Sequence, residues 1–347
     1  MHKHARPCQA WPSKYEETLV NPLLSMFRGA GCALALACSF GAMAQTPAAS
    51  FPSKPVRIIV PFPAGGTADS IPRIVAEKLA LLWGQPVIVE NRPGAGGNIG
   101  ADTFARSEAD GYVLLASPPG PLAINFNLYS KLTYDAHKFV PISVAATMPT
   151  VLLVRPELAN QPAQALIKEL QNNPDKYSYA SQGNGTTSHL TANLFSTEAK
   201  VTMLHVPYKG TAPAMTDLIG GKVDMMFDNI SSSLAFHQSG RVKIVAVATS
   251  KRLASLPNVP TFVELGLPQV LAGSWVAFAA PAGTPDAVVQ KISAAVAAVV
   301  RMPDVQRKFA DLSAEPIGDT SDQMAAFVGQ ESARWAKVIR AAHVTLD

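Results

Sequence analysis

The sequence predicts an α/β protein with mainly parallel sheets, built as two lobes around a cleft. Three observations carry that expectation. Short β-branched runs alternate with amphipathic helical patterns from Phe51 onward. The alternation occurs twice in series, separated by extended apolar stretches near residues 141–154 and 242–279. Both sets contain the same device, a strand running into glycines and hydroxyl residues that open a helix, at Ile58–Arg73 and again at Ser181–His189.

The chain has 347 residues, 48% hydrophobic and 16% charged, with net charge +4. That composition buries a sizeable core, and with few aromatics and no basic run it speaks against nucleic acid as a partner. Residues 1–44 read as a secretory leader. Arg28 precedes the small and apolar run Gly29–Phe40, and Ala42-Met43-Ala44 is an A-x-A cleavage pattern. Met26 stands where such a leader normally starts, so Met1–Ser25 reads either as an over-extended start or as a long n-region. All three cysteines, Cys8, Cys32 and Cys38, fall in this leader, so the mature chain is expected to have no thiol chemistry. What remains after residues 1–44 is close to neutral, 25 basic against 23 acidic side chains.

In chain order, Arg57–Pro61 reads as a strand and Ser70–Leu82 as a helix, with Ile71, Ile74, Val75, Leu79 and Leu82 on one face. Pro72 is tolerated in the first turn, where its missing N–H has no intrahelical partner. Strands follow at Val87–Glu90 and Tyr112–Ala116, the second ending on Ser117-Pro118-Pro119-Gly120-Pro121. Val140–Val154 reads as two extended pieces around Met148-Pro149. The second set runs helix Ala163–Leu170, strand Tyr177–Ser181, helix His189–Thr197, strand Thr202–Tyr208, helix Ala212–Ile219 and strand Val223–Asp228. Strands Val242–Thr249 and Ser274–Ala279 come next. Three helices close the chain, Pro285–Val300, Pro303–Leu312 and Ser321–Ala342, and are expected to return to the first lobe.

The glycine turns are the candidate site. N–H groups of Ala64, Gly65, Gly66 and Thr67, with the positive end of the following helix, are placed to hold a carboxylate. A plain strand-to-helix connection with Asp69 as N-cap is the other reading of the same residues. Gly65→Val is expected to weaken binding by blocking backbone approach. Asn91–Gly100, NRPGAGGNIG, fails the dinucleotide fingerprint because Ile99 takes the third glycine position, and no Walker-type Gly-Lys-Ser/Thr occurs. Carboxylate is therefore a better fit than phosphate. His189 reads as a donor to ligand or as a capping and packing residue. Tyr208 and Asp228 end second-lobe strands, where open α/β sheets gather ligand contacts. There is no Gly-x-Ser-x-Gly, no His-Glu-x-x-His and no metal-ligand spacing among His137, His189, His205, His237 and His343. Neither an enzyme, nor a cofactor, nor a metal is expected.

The motifs PFPAGGTAD (Pro61–Asp69), GQPVIVENRPGAGGNIG (Gly84–Gly100), DGYVLL (Asp110–Leu115) and VPYKGTAPAMTDLIGGKVDMMFD (Val206–Asp228) together resemble the periplasmic receptors of tripartite tricarboxylate transporters, the Bug-type receptors. The resemblance implies a Venus-flytrap fold of the periplasmic binding protein type II class, two α/β lobes joined by two crossover strands. It implies lobe 1 at 51–148 and 249–347, and lobe 2 at 149–248. It implies that loops matching Phe62–Asp69 and Gly183–His189 grip carboxylates, with Gly185, Thr186 and Thr187 in the second loop, and cleft-lining roles for Ser117, Pro119 and Tyr208. Asp228 matches an acidic position whose contact with ligand varies in the family. The implied protein is a monomeric periplasmic receptor for a small organic carboxylate, working with transporter membrane subunits. A sensory role toward a membrane kinase, or an enzyme on the same scaffold, are the alternatives.

Overall fold

The computed structural model describes residues 51–342 and 344–346. The expected leader, its three cysteines and His343 lie outside the described residues. Strand β1 (Val56–Val60) is buried at four of its five positions and pairs in parallel with β2 (Val87–Asn91) and β3 (Val113–Ser117). A strand flanked on both sides and covered on both faces must be apolar nearly throughout, as VRIIV is. Between β1 and β2 runs α1 (Thr67–Trp83), which lays Ile71, Val75 and Leu79 on the sheet and ends at Gly84 in the left-handed conformation. Each of those side chains contributes roughly 1.5–3 kcal/mol by leaving water. Helix α2 (Asn98–Ala105) covers the opposite face with Phe104.

Strand β4 (Val140–Val154) is the axis of the molecule. It is one continuous strand of 15 residues, where two pieces were expected. Its first ten residues pair antiparallel with β9 (Gly273–Ala280), Thr150–Val154 pair with β7 (Met225–Asn229), and Val151–Val154 pair with β8 (Lys243–Val247). Pro149 sits at the change of partners, a position where a missing N–H costs the ladder least.

The second lobe is α3 (Ala163–Asn172), β5 (Ser178–Ser181), α4 (Thr187–Ala199), β6 (Leu204–Pro207), α5 (Thr211–Ile219), β7 (Met225–Asn229), α6 (Ile230–Gln238) and β8 (Lys243–Val247). Strand β5 pairs in parallel with β6 and β7. The expected return to the first lobe at residue 249 is not where the packing changes. Leu256 and Val259, then Phe262 and Val270, are buried in the two second-lobe cores, so the return falls at Gly273, the start of β9 (Gly273–Ala280).

Helices α7 (Asp286–Val300) and α8 (Pro303–Asp311) go back to the first lobe, where Val289, Ile292, Val296, Val299 and Phe309 join its core. A two-residue strand, β10 (Glu315–Pro316), pairs with β4. Helix α9 (Ser321–Ala341) departs from expectation by serving both lobes. Met324 packs in the first, while Trp335 and Ile339 pack in the second. Glu331 anchors the middle, accepting hydrogen bonds from the indole N–H groups of Trp275 and Trp335.

Candidate functional site

Between the lobes lies an inner cavity of about 40 Å3. The first lobe contributes the β1–α1 loop, with Phe62, Ala64, Gly66 and Thr67 as expected, joined by Pro63 and Ala68. Gly66, not Asp69, is the N-cap of α1, and its side chain can offer no cap. The first-turn N–H groups at Thr67 and Ala68 therefore lack intrahelical partners and border the cavity.

Asp69 and Gly65 brace this loop and do not line the cavity. The Gly65 N–H donates to Asp69 Oδ2 at 3.1 Å, and Arg73 Nε and Asn91 Nδ2 both donate to Asp69 Oδ1 at 2.9 Å. Asn91 Nδ2 also donates to the Phe62 carbonyl, so one amide fixes both ends of the turn. Burial works against ionising Asp69, but the hydrogen bonds from Arg73, Asn91 and Gly65 outweigh it and hold the carboxyl below its usual range. A Cβ added at Gly65 meets no protein atom within 4 Å, so a larger side chain there has room within the fold. Its φ of +91° is what requires glycine.

The second-lobe wall differs from expectation. It is made by Gln182, by the turn Lys209–Pro213 that opens α5, and by Asn229. Gly210, with φ +108°, hands over to α5 as Gly66 hands over to α1. The tripeptides Gly66-Thr67-Ala68 and Gly210-Thr211-Ala212 thus confront each other, a Cβ at Gly66 falling 3.7 Å from Thr211 Oγ1. The positive ends of two helices, one per lobe, point into the same small space.

Gly185, Thr186, Thr187 and His189 do not line that space. Thr186 caps α4 and donates to the Gly183 carbonyl at 2.8 Å, and the Gly185 N–H donates to His189 Nδ1 at 3.1 Å. His189 stacks on His205 at 4.1 Å, and His205 on Tyr179 at 4.8 Å. Burial, then the neighbouring His205, pushes His189 down to about 3, and burial pushes His205 down to about 4. His189 is thus the packing residue of the two readings.

Gly183 and Tyr208 line an outer chamber of about 640 Å3 across from Gly94–Gly97. Phe62, Pro63, Gln182, Lys209 and Gly210 border both compartments. The NRPGAGG stretch therefore faces the cleft, while Gly100 is needed for close packing, its Cβ position lying 2.7 Å from the Arg92 carbonyl oxygen.

Ser117 and Pro119 are buried, and the residue between them, Pro118, lines the inner cavity. Asp228 lies beneath the wall at 1% exposure and accepts from Gln182 Nε2, the Asn229 N–H and the Ser232 and Ser233 hydroxyls. Burial pushes it up to about 6 against those bonds. Its contact with the cavity runs through Gln182 and Asn229. None of the residues lining the inner cavity is acidic. Across the cleft mouth, the Thr67 and Ser231 hydroxyls are hydrogen-bonded at 2.7 Å, so the lobes are closed on each other. Among the described residues, no group of His, Cys, Asp or Glu could hold a metal ion, and no helix is long and apolar enough to cross a membrane.

A two-lobed cleft of this kind has relatives of known family. Residues 71–344 match TctC, described as tripartite tricarboxylate transporter family receptor. The chain belongs to this family. It is 36% identical over 302 residues to Protein BugT of Bordetella pertussis, covering 86% of this chain and 93% of that protein. It superposes on Rpa4515 of R. palustris with adipate at a TM-score of 0.82 and 35% identity, over 85% of this chain and 99% of the other. MatC of Rhodopseudomonas palustris with bound malate superposes at 0.79 and 33% identity, over 83% and 100%. These receptors are periplasmic solute-binding proteins of two-lobe type, not enzymes.

Proposed function

We propose that this receptor captures a small organic carboxylate between lobes 51–149 with 273–346 and 150–272, and presents it to the membrane subunits of a tripartite transporter. The observation that carries this reading is the pair of facing helix starts, Gly66-Thr67-Ala68 and Gly210-Thr211-Ala212, around a cavity without an acidic side chain. Each helix end contributes about 0.3–1 kcal/mol toward an anion, more when partly buried, and each unpaired N–H adds a charge-assisted bond. A carboxylate fits that geometry, and adipate and malate in the neighbours are of this chemistry. Phe62, Ala64, Gly66 and Thr67 act from the first lobe and Gln182, Gly210 and Thr211 from the second. Gly65, Asp69, Gly185, Thr186, Thr187, His189 and Asp228 hold those residues in place. The protein works as a periplasmic monomer, exported by its leader.

Binding to the closed form raises stability by mass action, about 2.7 kcal/mol at a ligand concentration a hundredfold above Kd. A thermal-shift panel of mono-, di- and tricarboxylates should find at least one that raises the melting temperature. A panel in which no carboxylate does so overturns the reading.

A further inference from the structure

The floor of the inner cavity holds polar side chains that have nothing to bind. Ser274 and Val276 on β9 both line the cavity while Trp275 between them is packed in the core behind, so the alternation of the strand aims the Ser274 side chain into the space. Ser274 is 2% exposed, and among the described residues its hydroxyl has no hydrogen-bonding partner.

Asn229 meets it from the other lobe. It stands at the N-cap of α6, the position where an asparagine side chain normally accepts from the first turn, yet it makes no capping bond. Its backbone N–H and carbonyl are engaged with Asp228, Ser232 and Ser233, and its amide has no partner among the described residues. It is 7% exposed and lines the cavity. Directly opposite Asn229 in the β4–β7 register is Thr150, whose buried hydroxyl is also without a partner. Buried polar groups in folded proteins are nearly always satisfied, so the two unpaired ones that line the cavity, Asn229 and Ser274, call for an occupant.

The walls are made for the carboxylate by the facing helix starts. A cavity of about 40 Å3 has room for the centres of about three water-sized groups, so it takes the carboxylate end of a ligand and not a long chain. Phe62 and Lys209 border both this cavity and the outer chamber, the side toward which the rest of a longer ligand would extend. A hydroxyl of Ser274 and an amide of Asn229 can each donate or accept, so they satisfy an alcohol and a carbonyl oxygen alike.

We propose that Asn229 and Ser274 form a subsite for an oxygen on the carbon next to the ligand's carboxylate, so that the receptor selects 2-hydroxy- and 2-oxocarboxylates over their unsubstituted counterparts. The inference rests on the carboxylate reading above and narrows it. A site built to hydrogen-bond an oxygen rejects the analogue lacking it, because the site's own buried groups are then left unpaired.

The test is calorimetric titration with matched pairs of one carbon skeleton: malate and 2-oxosuccinate against succinate, 2-hydroxybutanoate and 2-oxobutanoate against butanoate. The oxygenated member of the tightest-binding skeleton should bind at least about tenfold more tightly than the plain acid. Ser274→Ala and Asn229→Ala should each reduce that preference toward unity, mainly by weakening the oxygenated ligand. Should Asn229→Ala fail to fold, Ser274→Ala and the wild-type preference carry the test. A plain acid binding as tightly as its oxygenated partner overturns the subsite while leaving the carboxylate reading standing. So does a preference that survives both substitutions. Failure of every acid to bind overturns both.

Discussion

The loops that open α1 and α4 share a local sequence design, yet one faces the ligand space and the other faces its own core. The first is held by charge. Asp69 gathers the Gly65 N–H, Arg73 and Asn91 at the rim of the first lobe. The second is held by neutral groups, the Tyr179–His205–His189 stack and the Thr186 cap. The difference teaches that a glycine turn at a helix start can offer its N–H groups to an anion only where the fold sets that turn on the wall of the cavity. In the first loop Asp69 occupies the Gly65 N–H and leaves those of the helix start. In the second, His189 occupies the Gly185 N–H and Thr186 takes the His189 N–H, on residues that do not line the inner cavity.

The charged brace is where the contrast breaks most easily. Asp69→Ala releases at once the three donors that a nearly buried carboxylate holds, and is expected to cost about 3 kcal/mol of stability and to weaken ligand binding well beyond tenfold. Urea unfolding and titration of the variant measure both. Asp69→Asn keeps the Oδ1 acceptor for Arg73 and Asn91, loses the one for the Gly65 N–H, and should fall between. A variant that unfolds like the wild type would show the brace to be ornamental.

The neutral brace predicts a pH dependence of the opposite origin. His189 and His205 titrate in the folded protein at about 3 and about 4, below the 6.5 of a free side chain. Between those values the unfolded chain binds more protons, so the stability they contribute is present above about 6.5 and is lost as pH falls through the folded values. Asp228 acts the other way. Its value of about 6 lies above the ordinary 3.8, so its contribution is present at low pH and lost as pH rises toward 6. Melting temperatures from pH 4 to 7 should therefore rise less steeply in the double variant His189→Gln/His205→Gln than in the wild type. In Asp228→Asn they should rise more steeply. Equal slopes in all three would remove the histidine stack as the second loop's support.

Much of the fold is legible in sequence because periodicity reports burial directly, as in Ile71, Val75 and Leu79 of α1. The first-lobe half of the site is legible too, since Phe62, Ala64, Gly66 and Thr67 follow a strand that local pattern identifies. The second half is not, for a physical reason. Which strand-end loops meet across the cleft is decided by the order of strands in the sheet, a long-range property, and two loops of similar sequence compete for the role. The repeated Gly-Thr-Ala at 66–68 and 210–212 is the signal that distinguishes the pair that meets. Pro118, rather than Ser117 or Pro119, shows the same limit at the scale of one residue. Asn229 and Ser274 leave no motif, because an unsatisfied side chain is visible only once its surroundings are placed.

Backbone strain gives a sharper and smaller probe of the first loop. Gly65→Val has room for its side chain but must adopt a φ near +91°, at a cost of about 1–2 kcal/mol. That cost should appear as lost stability with a modest change in affinity, unlike the combined loss at Asp69. Thermal unfolding beside titration separates the two, and a loss of affinity without loss of stability would return Gly65 to the role of a ligand contact.

The smallest expected effect lies at the seam between the lobes. The Thr67 and Ser231 hydroxyls meet at 2.7 Å, joining the helix start of α1 to that of α6 only when the cleft is closed. Ser231→Ala removes this bond and leaves the buried Thr67 hydroxyl without its partner, at an expected cost of about 1 kcal/mol. Because the bond belongs to the closed form alone, that cost falls on closure rather than on folding. Affinity should drop about fivefold, as a 1 kcal/mol change implies, while the melting temperature without ligand stays nearly unchanged. Thr67→Ser keeps the hydroxyl and should restore most of the affinity that Thr67→Ala loses. If Ser231→Ala lowered stability and affinity together, the seam would be part of the folded core and not a latch between two bodies.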